Sequence, residues 1–274
     1  MNNEIKNNTF LISIASFFLG GCGGSGTDPA KCYTNLPGVC AAFGLPISPP
    51  SVNPQYGSPD GLYLGTSNTS RSITSLVLEN GEIYTAYSIP NQPSTIGGVV
   101  QGTVETSVGN IFSKNTIDFN FEGLGVRAVQ LSAKYTERAS IVGNLTYPLN
   151  AQTITFSSLY RSDYEDKPAI EKIAGNYSGI STSFFGRETV AFSILPSGAI
   201  NGVSNLGCIF SGTVNPLPKG NAYSTTVKFS GSPCGIPDAI VTGKAFLDTA
   251  NKQLIAISVT NDRSHAFVFS GQSR

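Results

Sequence analysis

The chain has 274 residues, only 12% of them charged, and its formal net charge is zero. That balance excludes a nucleic-acid binder, whose affinity rests on clustered Lys and Arg neutralising phosphates, and it excludes an acidic solvating tail. Hydrophobic residues make up 40% and are enough to fill a core, while 30 Gly and 16 Pro among many β-branched and aromatic residues predict an all-β protein.

Residues 1–9 are polar, with Glu4 and Lys6, and residues 10–19, FLISIASFFL, are almost wholly apolar. Such a run reaches only about 15 Å as a helix, half the hydrocarbon core, so residues 1–21 are expected to be a secretory leader and not a membrane span. The ending Leu19-Gly20-Gly21-Cys22 resembles a bacterial lipobox. The resemblance implies lipidation of Cys22: diacylglycerol on its sulfur, cleavage before it, and a palmitate-type acyl chain on the new amine. Two or more chains, at about 0.8 kcal/mol per buried CH2, anchor a protein stably. Gly23 stands where an Asp would favour the inner membrane, so the resemblance implies the outer membrane. Residues 22–59 are expected to be a lipid-anchored flexible linker. GGSGTDPA holds no core-forming residue, and residues 41–59 are rich in Pro, Ser and Gly.

Five cysteines are present, at 22, 32, 40, 208 and 234. With Cys22 lipidated, four remain, an even number suited to an oxidising compartment. Proximity favours Cys32–Cys40 and Cys208–Cys234, though four thiols allow three pairings. A metal site is not expected, because there is no CxxC pair and His265 is the one imidazole.

Beyond residue 59 two stretches are alike. Gly61-Leu62-Tyr63-Leu64-Gly65 matches Gly175-Asn176-Tyr177-Ser178-Gly179, and Leu78-Glu79-Asn80-Gly81-Glu82-Ile83 matches Leu195-Pro196-Ser197-Gly198-Ala199-Ile200. Further matches pair Val100–Val104 with Phe210–Val214, Asn120–Gly123 with Lys228–Gly231, and Asn150–Ile154 with Asn251–Ile255. The period is about a hundred residues, which marks a domain duplication and not a solenoid. The expected domains are residues 60–162 and 163–274.

Apolar residues alternate with polar ones in each copy. Ile117, Phe119 and Phe121 do so in the first, as do Val129, Leu131, Ala133 and Tyr135; Val190, Phe192 and Ile194, and then Ile255, Ile257 and Val259, do so in the second. Period two predicts antiparallel sheet with one face buried and one wet. About eight strands per copy are expected, at the close spacing of a barrel or a sandwich. Residues 166–174, DKPAIEKIA, instead carry helical spacing. They predict a short joining helix capped by Asp166, with Pro168 in its first turn, which plugs one barrel end. The fold class is thus all-β: two tandem antiparallel eight-stranded β-barrels or β-sandwiches joined by a short helix.

The G-x-Y-x-G opening, the Gly-turn hairpin and the Cys-containing Gly-Thr strand, here Gly175 to Gly179, Leu195 to Ile200 and Cys208 to Val214, resemble those of uncharacterised Gram-negative lipoproteins with tandem small β domains. A looser likeness, of architecture only, is to the small barrels of surface lipoproteins that bind host transferrin or complement regulators.

No catalytic residue stands out. Ser264 and His265 are adjacent on the approach to the last strand, where neighbouring side chains point to opposite faces, a poor arrangement for proton transfer with Asp262. Asp163, Glu165, Asp166 and Glu171 are interleaved with Lys167 and Lys172 and read as a solvated, salt-bridged helix face. Tyrosines 56, 63, 84, 87, 135, 147, 160, 164, 177 and 223 read as core or girdle packing. The expectation is a non-catalytic envelope or surface interaction protein, without cofactor or metal, held to the membrane through its N-terminal lipid. It would have an unidentified protein partner, and nucleic acid is not expected as a ligand. Its location would be the outer membrane, on the periplasmic or cell-surface side. The alternative is a carrier of small apolar ligands with lipocalin-like barrels.

Overall fold

The structure is a computed structural model that describes residues 57–274. The leader at 1–21, the lipidation site Cys22, the Cys32–Cys40 pair, Tyr56 and most of the linker lie outside the described residues.

The first barrel is built from β1 Gly61–Ser67, β2 Ser72–Val77, β3 Glu82–Ile89, β4 Gln92–Thr103, β5 Glu105–Ser107, β6 Asn110–Asn120, β7 Gly125–Thr136, β8 Ser140–Tyr147 and β9 Gln152–Arg161. Its strands run in the order β4-β3-β2-β1-β9-β8-β7-β6, and pairing of Gly98–Gln101 with Asn120–Ile117 closes the ring. Short β5 pairs only with β6 and hangs from the barrel as a hairpin. The second barrel holds β10 Gly175–Ser183, β11 Gly186–Ile194, β12 Ala199–Ser204, β13 Ile209–Pro216, β14 Tyr223–Phe229, β15 Ile240–Asp248, β16 Gln253–Thr260 and β17 Ala266–Ser273. Each strand pairs antiparallel with the next, and β17 returns to β10. Closure decides between the two sheet architectures left open by the sequence: both are barrels, and neither leaves a long unpaired edge.

The repeat is visible at atomic level. Tyr63 and Tyr177 occupy the same place in β1 and β10, and each phenol donates to the carbonyl four residues upstream, Tyr63 to Pro59 O at 2.9 Å and Tyr177 to Ile173 O at 3.0 Å. The second glycine of each opening is required by close approach. A Cβ on Gly65 would sit 1.9 Å from Ser157 O, and one on Gly179 would sit 2.3 Å from Ser270 O. The hairpin turns also agree, since Leu78 N donates to Glu82 O and Leu195 N to Ala199 O, both at 2.9 Å. Gly81 and Gly198 share φ +81°, in the left-handed region where glycine carries no steric penalty. One match does not survive. Asn150–Ile154 opens β9, the last strand of its barrel, whereas Asn251–Ile255 opens β16, the last but one. The likeness there is of turn chemistry, with Ala151 at φ 54° and Lys252 at φ 52°.

The joining segment is shorter than expected. A 3-10 turn, Ser162–Glu165, is followed by one helical turn, α1, Ile170–Ile173. Its N-cap is Ala169, with no side-chain cap, so Asp166 does not cap it. Pro168 disfavours helical backbone at the residue before it and holds the start back. A single turn has no stability of its own. Packing holds it: Ile173 is wholly buried among Tyr177, Ile194, Val214 and Tyr223, so α1 plugs one end of the second barrel. The backbone of Ala169 meets the Tyr223 hydroxyl at 3.2 Å.

Two of the alternating strands face opposite to the simplest reading. The register of β6 shifts between Ser113 and Thr116, a bulge that swaps the faces of the strand. Beyond it Thr116, Asp118 and Asn120 are buried, and Asp118 and Asn120 hydrogen-bond Tyr87 in the barrel lumen, while Ile117, Phe119 and Phe121 point out. On β16, likewise, Ala256 and Ser258 line the lumen, while Ile257 and Val259 face outward. These outward apolar faces are not wet. Tyr84, Ala86, Val99 and Phe119 of the first barrel pack on Ile257, Val259, Ala266 and Val268 of the second. A further seam joins Leu62, Leu76 and Leu78 to Ala222 and Phe246, with Tyr164 of the 3-10 turn between them. Ion pairs flank it, Lys244–Glu82 at 2.8 Å and Lys219–Asp60 at 2.9 Å. Arg263 adds hydrogen bonds to the carbonyls of Gln101 (2.6 Å) and Asn115 (2.9 Å). The two barrels form one compact unit.

Candidate functional site

Strands alternate in direction, so the turns of the second barrel fall into two sets. One end carries α1 and is plugged. The other end, the mouth, is formed by residues 184–185, 205–208, 230–239 and 261–265. The disulfide Cys208–Cys234 (S–S 2.03 Å) ties two of these segments together. Exposed apolar side chains surround the mouth: Phe185 is 49% exposed, Leu206 63%, Ile209 59% and Ile240 48%. The described chain begins at the opposite end, where Tyr135 donates to Gly57 O at 2.6 Å and Asp60 meets Lys219.

Below the mouth lies a cavity of about 120 Å³. Phe192, Phe210, Phe229, Phe267 and Phe269 line it, with edge-to-face contacts such as Phe192–Phe269 at 4.8 Å and 73°. The sequence signal for these residues is alternation, with Phe267 and Phe269 on one face of β17, but alternation alone does not mark that face as the lining of a cavity. Aliphatic side chains such as Val190, Ile194, Val214 and Leu254 continue the wall, and Ser181, Ser183, Ser204, Thr225 and Ser258 stand among them, their small size leaving the space open. Glu188 is the one acidic group in the lining.

The first barrel is filled at the corresponding end. Asp118, wholly buried, accepts from Tyr87 (2.6 Å), Tyr147 (3.0 Å) and Arg127 (2.7 Å), and Asn120 Nδ2 donates to the Tyr87 hydroxyl at 3.2 Å. The Arg127 guanidinium lies 4.3 Å over the Tyr147 ring. Burial first, and then the Asp118 charge, push both phenols well above the ordinary tyrosine value. A cavity of about 40 Å³ remains between Tyr63, Val77, Ile111 and Phe156. Among the described tyrosines, Tyr63, Tyr84, Tyr135, Tyr147, Tyr164, Tyr177 and Tyr223 are buried core and seam groups.

His265 sits at the mouth, stacked on Phe185 with ring centroids 5.6 Å apart and planes 7° from parallel. It precedes β17 and is not in a strand, so the opposite-face argument does not apply: Ser264 Oγ lies 2.8 Å from His265 Nδ1. Ser264 Oγ also donates to Asp262 Oδ1 at 2.8 Å. Hydrogen bonds from Thr260 and Ser264 hold the Asp262 carboxyl at about 2. The wiring is that of a turn. The hydroxyl is locked between carboxylate and imidazole, and the carboxylate orients the serine instead of the histidine.

Of the junction carboxylates, Asp163 and Glu165 are paired with arginines and not with Lys167 and Lys172. Asp163 meets Arg161 at 2.9 Å, and Glu165 meets Arg138 at 3.3 Å and the Tyr160 hydroxyl. Lys172 Nζ turns to Lys167 O at 2.6 Å. Among the described residues no cluster of three His, Cys, Asp or Glu groups is placed to hold a metal, and no helix is long and apolar enough to cross a membrane.

Fold and mouth together define a class: a tandem up-and-down β-barrel protein in which one barrel is filled at the mouth end and the other is hollow there. No protein-family model matches the chain, and no curated protein matches it significantly. Solved structures do resemble it. Transferrin binding protein B of serogroup B Neisseria meningitidis is 11% identical at TM-score 0.31, over 74% of this chain and 52% of that one. A "putative outer membrane protein" of Bacteroides fragilis is 9% identical at TM-score 0.25, over 78% of this chain and 97% of that one. A variant of transferrin binding protein B from Haemophilus parasuis is 10% identical at TM-score 0.27, over 79% and 76%. The chain therefore spans about half the length of the Neisseria protein. The likeness is of β-barrel architecture.

Proposed function

We propose that this chain is a non-catalytic, lipid-anchored binding protein of the bacterial envelope. In this reading residues 1–21 are a leader, Cys22 carries the lipid, residues 22–59 are the tether, and the body presents the mouth of the second barrel to a protein partner. The observation that carries it is polarity of the body. The described chain enters at the plugged end, near Gly57 and Asp60, and the apolar rim of Phe185, Leu206, Ile209 and Ile240 is at the opposite end. A tether on the first end holds the rim away from the membrane. Apolar side chains grouped on a rigid edge are the usual anchor of a protein interface.

Two measurements test the reading. Metabolic labelling with a palmitate analogue is expected to mark the envelope-associated protein and to fail in Cys22→Ser. A photo-crosslinker at Leu206 is expected to capture a protein partner on intact envelopes, and one at Leu159, exposed on the outer wall of the first barrel, is not. A chain found in the cytoplasm with its leader attached and its thiols reduced would overturn it.

A further inference from the structure

We infer that the second barrel is also a binding site for a small phenol-type molecule, one aromatic ring bearing a hydrogen-bond donor. The inference concerns the lumen and needs no protein partner. The two copies of the fold differ in their lumens. At the end where the first barrel is filled by Tyr87, Asp118, Arg127 and Tyr147, the second carries serines and threonine among phenylalanines and keeps about 120 Å³ open. A cavity of about 150 Å³ lined by apolar side chains stays dry and takes up benzene, so this lumen is in the size range of a single ring.

The lining selects the chemistry. Phe192 meets Phe269 edge to face at 4.8 Å, Phe210 meets Phe192 at 6.3 Å, and Phe229 meets Phe267 at 4.9 Å. Ring edges and faces are thus already turned into the space, and an aromatic guest extends the same pattern where an alkyl chain would not. Glu188 shares the inward face of β11 with Val190, Phe192 and Ile194 and stands one step from the mouth turn. Its carboxylate accepts hydrogen bonds, so a guest is oriented with its ring among the phenylalanines and its hydroxyl toward the mouth. The plugged end closes the bottom of the site through Ile173 and Tyr223, and the disulfide-tied segment with Gly235 and Ile236 stands over the top.

Fluorine NMR of the full-length protein tests this with two probes, 4-fluorophenol and fluorobenzene. Both are expected to shift and broaden on adding protein, with 4-fluorophenol binding about tenfold more tightly. Ala256→Leu fills the lumen and is expected to abolish binding of both, with Ala245→Val as the milder filling variant should the first not fold. Thr85→Val, a change in the lining of the first barrel's cavity, is expected to leave both unchanged. Glu188→Leu is expected to erase the tenfold preference while keeping fluorobenzene binding. The inference is overturned if neither probe responds, or if binding survives in a folded lumen-filled variant. Loss of the Leu206 cross-link alone would count against the protein-partner reading and leave this one standing.

Discussion

Tyr177 and Ile173 are joined by a hydrogen bond of 3.0 Å from the phenol of β10 to the last carbonyl of the plugging turn, and Tyr63 makes the same bond to Pro59 at 2.9 Å. Both rings are buried, so each bond also fixes where the chain enters its barrel. Tyr177→Phe removes the donor and leaves a buried carbonyl, which is expected to lower stability by about 1–2 kcal/mol. Tyr63→Phe is expected to do the same. Urea midpoints of the two variants check this, and an unchanged midpoint for Tyr177→Phe would show that the plug is held by packing alone.

Asp118 accepts from three side chains inside the first barrel, and Arg127 is its charged partner. Asp118→Ala leaves that guanidinium without its counter-ion and is expected to cost about 3–5 kcal/mol. The double variant Asp118→Ala/Arg127→Met is expected to cost clearly less than the sum of the two singles. A denaturation cycle measures the coupling.

Phe119 is wholly buried on the outside of the first barrel, against the second. Phe119→Ala is therefore expected to cost about 3–5 kcal/mol, the value for a core aromatic, even though the side chain points away from its own lumen. Phe112, on the same strand but 41% exposed, is the control and is expected to shift stability by less than about 0.5 kcal/mol on replacement by Ala. Equal effects at the two positions would mean that the barrels are not joined through this seam.

The Cys208–Cys234 bridge closes a loop with a sequence separation of 26 at the mouth. The chain-entropy relation gives about 3.5 kcal/mol for a loop of this length. Chemical denaturation with and without a thiol reductant is expected to show that difference. Replacing both cysteines by Ala is expected to reproduce it without reductant.

Alkaline pH is expected to destabilise the fold through its buried tyrosines. Burial raises the folded-state values of Tyr63, Tyr87 and Tyr147 well above 10, and that of Tyr84 to about 12. The unfolded chain then releases phenolic protons that the folded chain retains, so stability is fully present below pH 10 and falls as pH rises beyond it. Each such tyrosine contributes a slope of about 1.4 kcal/mol per pH unit above its unfolded value. Thermal midpoints across pH 9–12 check the sign.

Alternation, turn glycines and the duplicated G-x-Y-x-G opening were legible in the sequence, because pleat and left-handed turns are local properties. So was the Cys208–Cys234 pair, which proximity in the chain favoured among three possible pairings. Periodicity marks two faces of a strand but not what each face meets. Hence Ile117 and Phe119 on β6, and Ile257 on β16, had to await the structure before they could be placed on the outside, where each barrel supplies the other's cover. The bulge after Ser113, the shortening of α1 and the offset of Asn251–Ile255 to β16 were hidden for a similar reason. Register is set by pairing with distant strands. The hollow below the mouth is the furthest from sequence of all. Whether inward serines leave a space depends on how eight strands curve around them, and only closure of the barrel decides that.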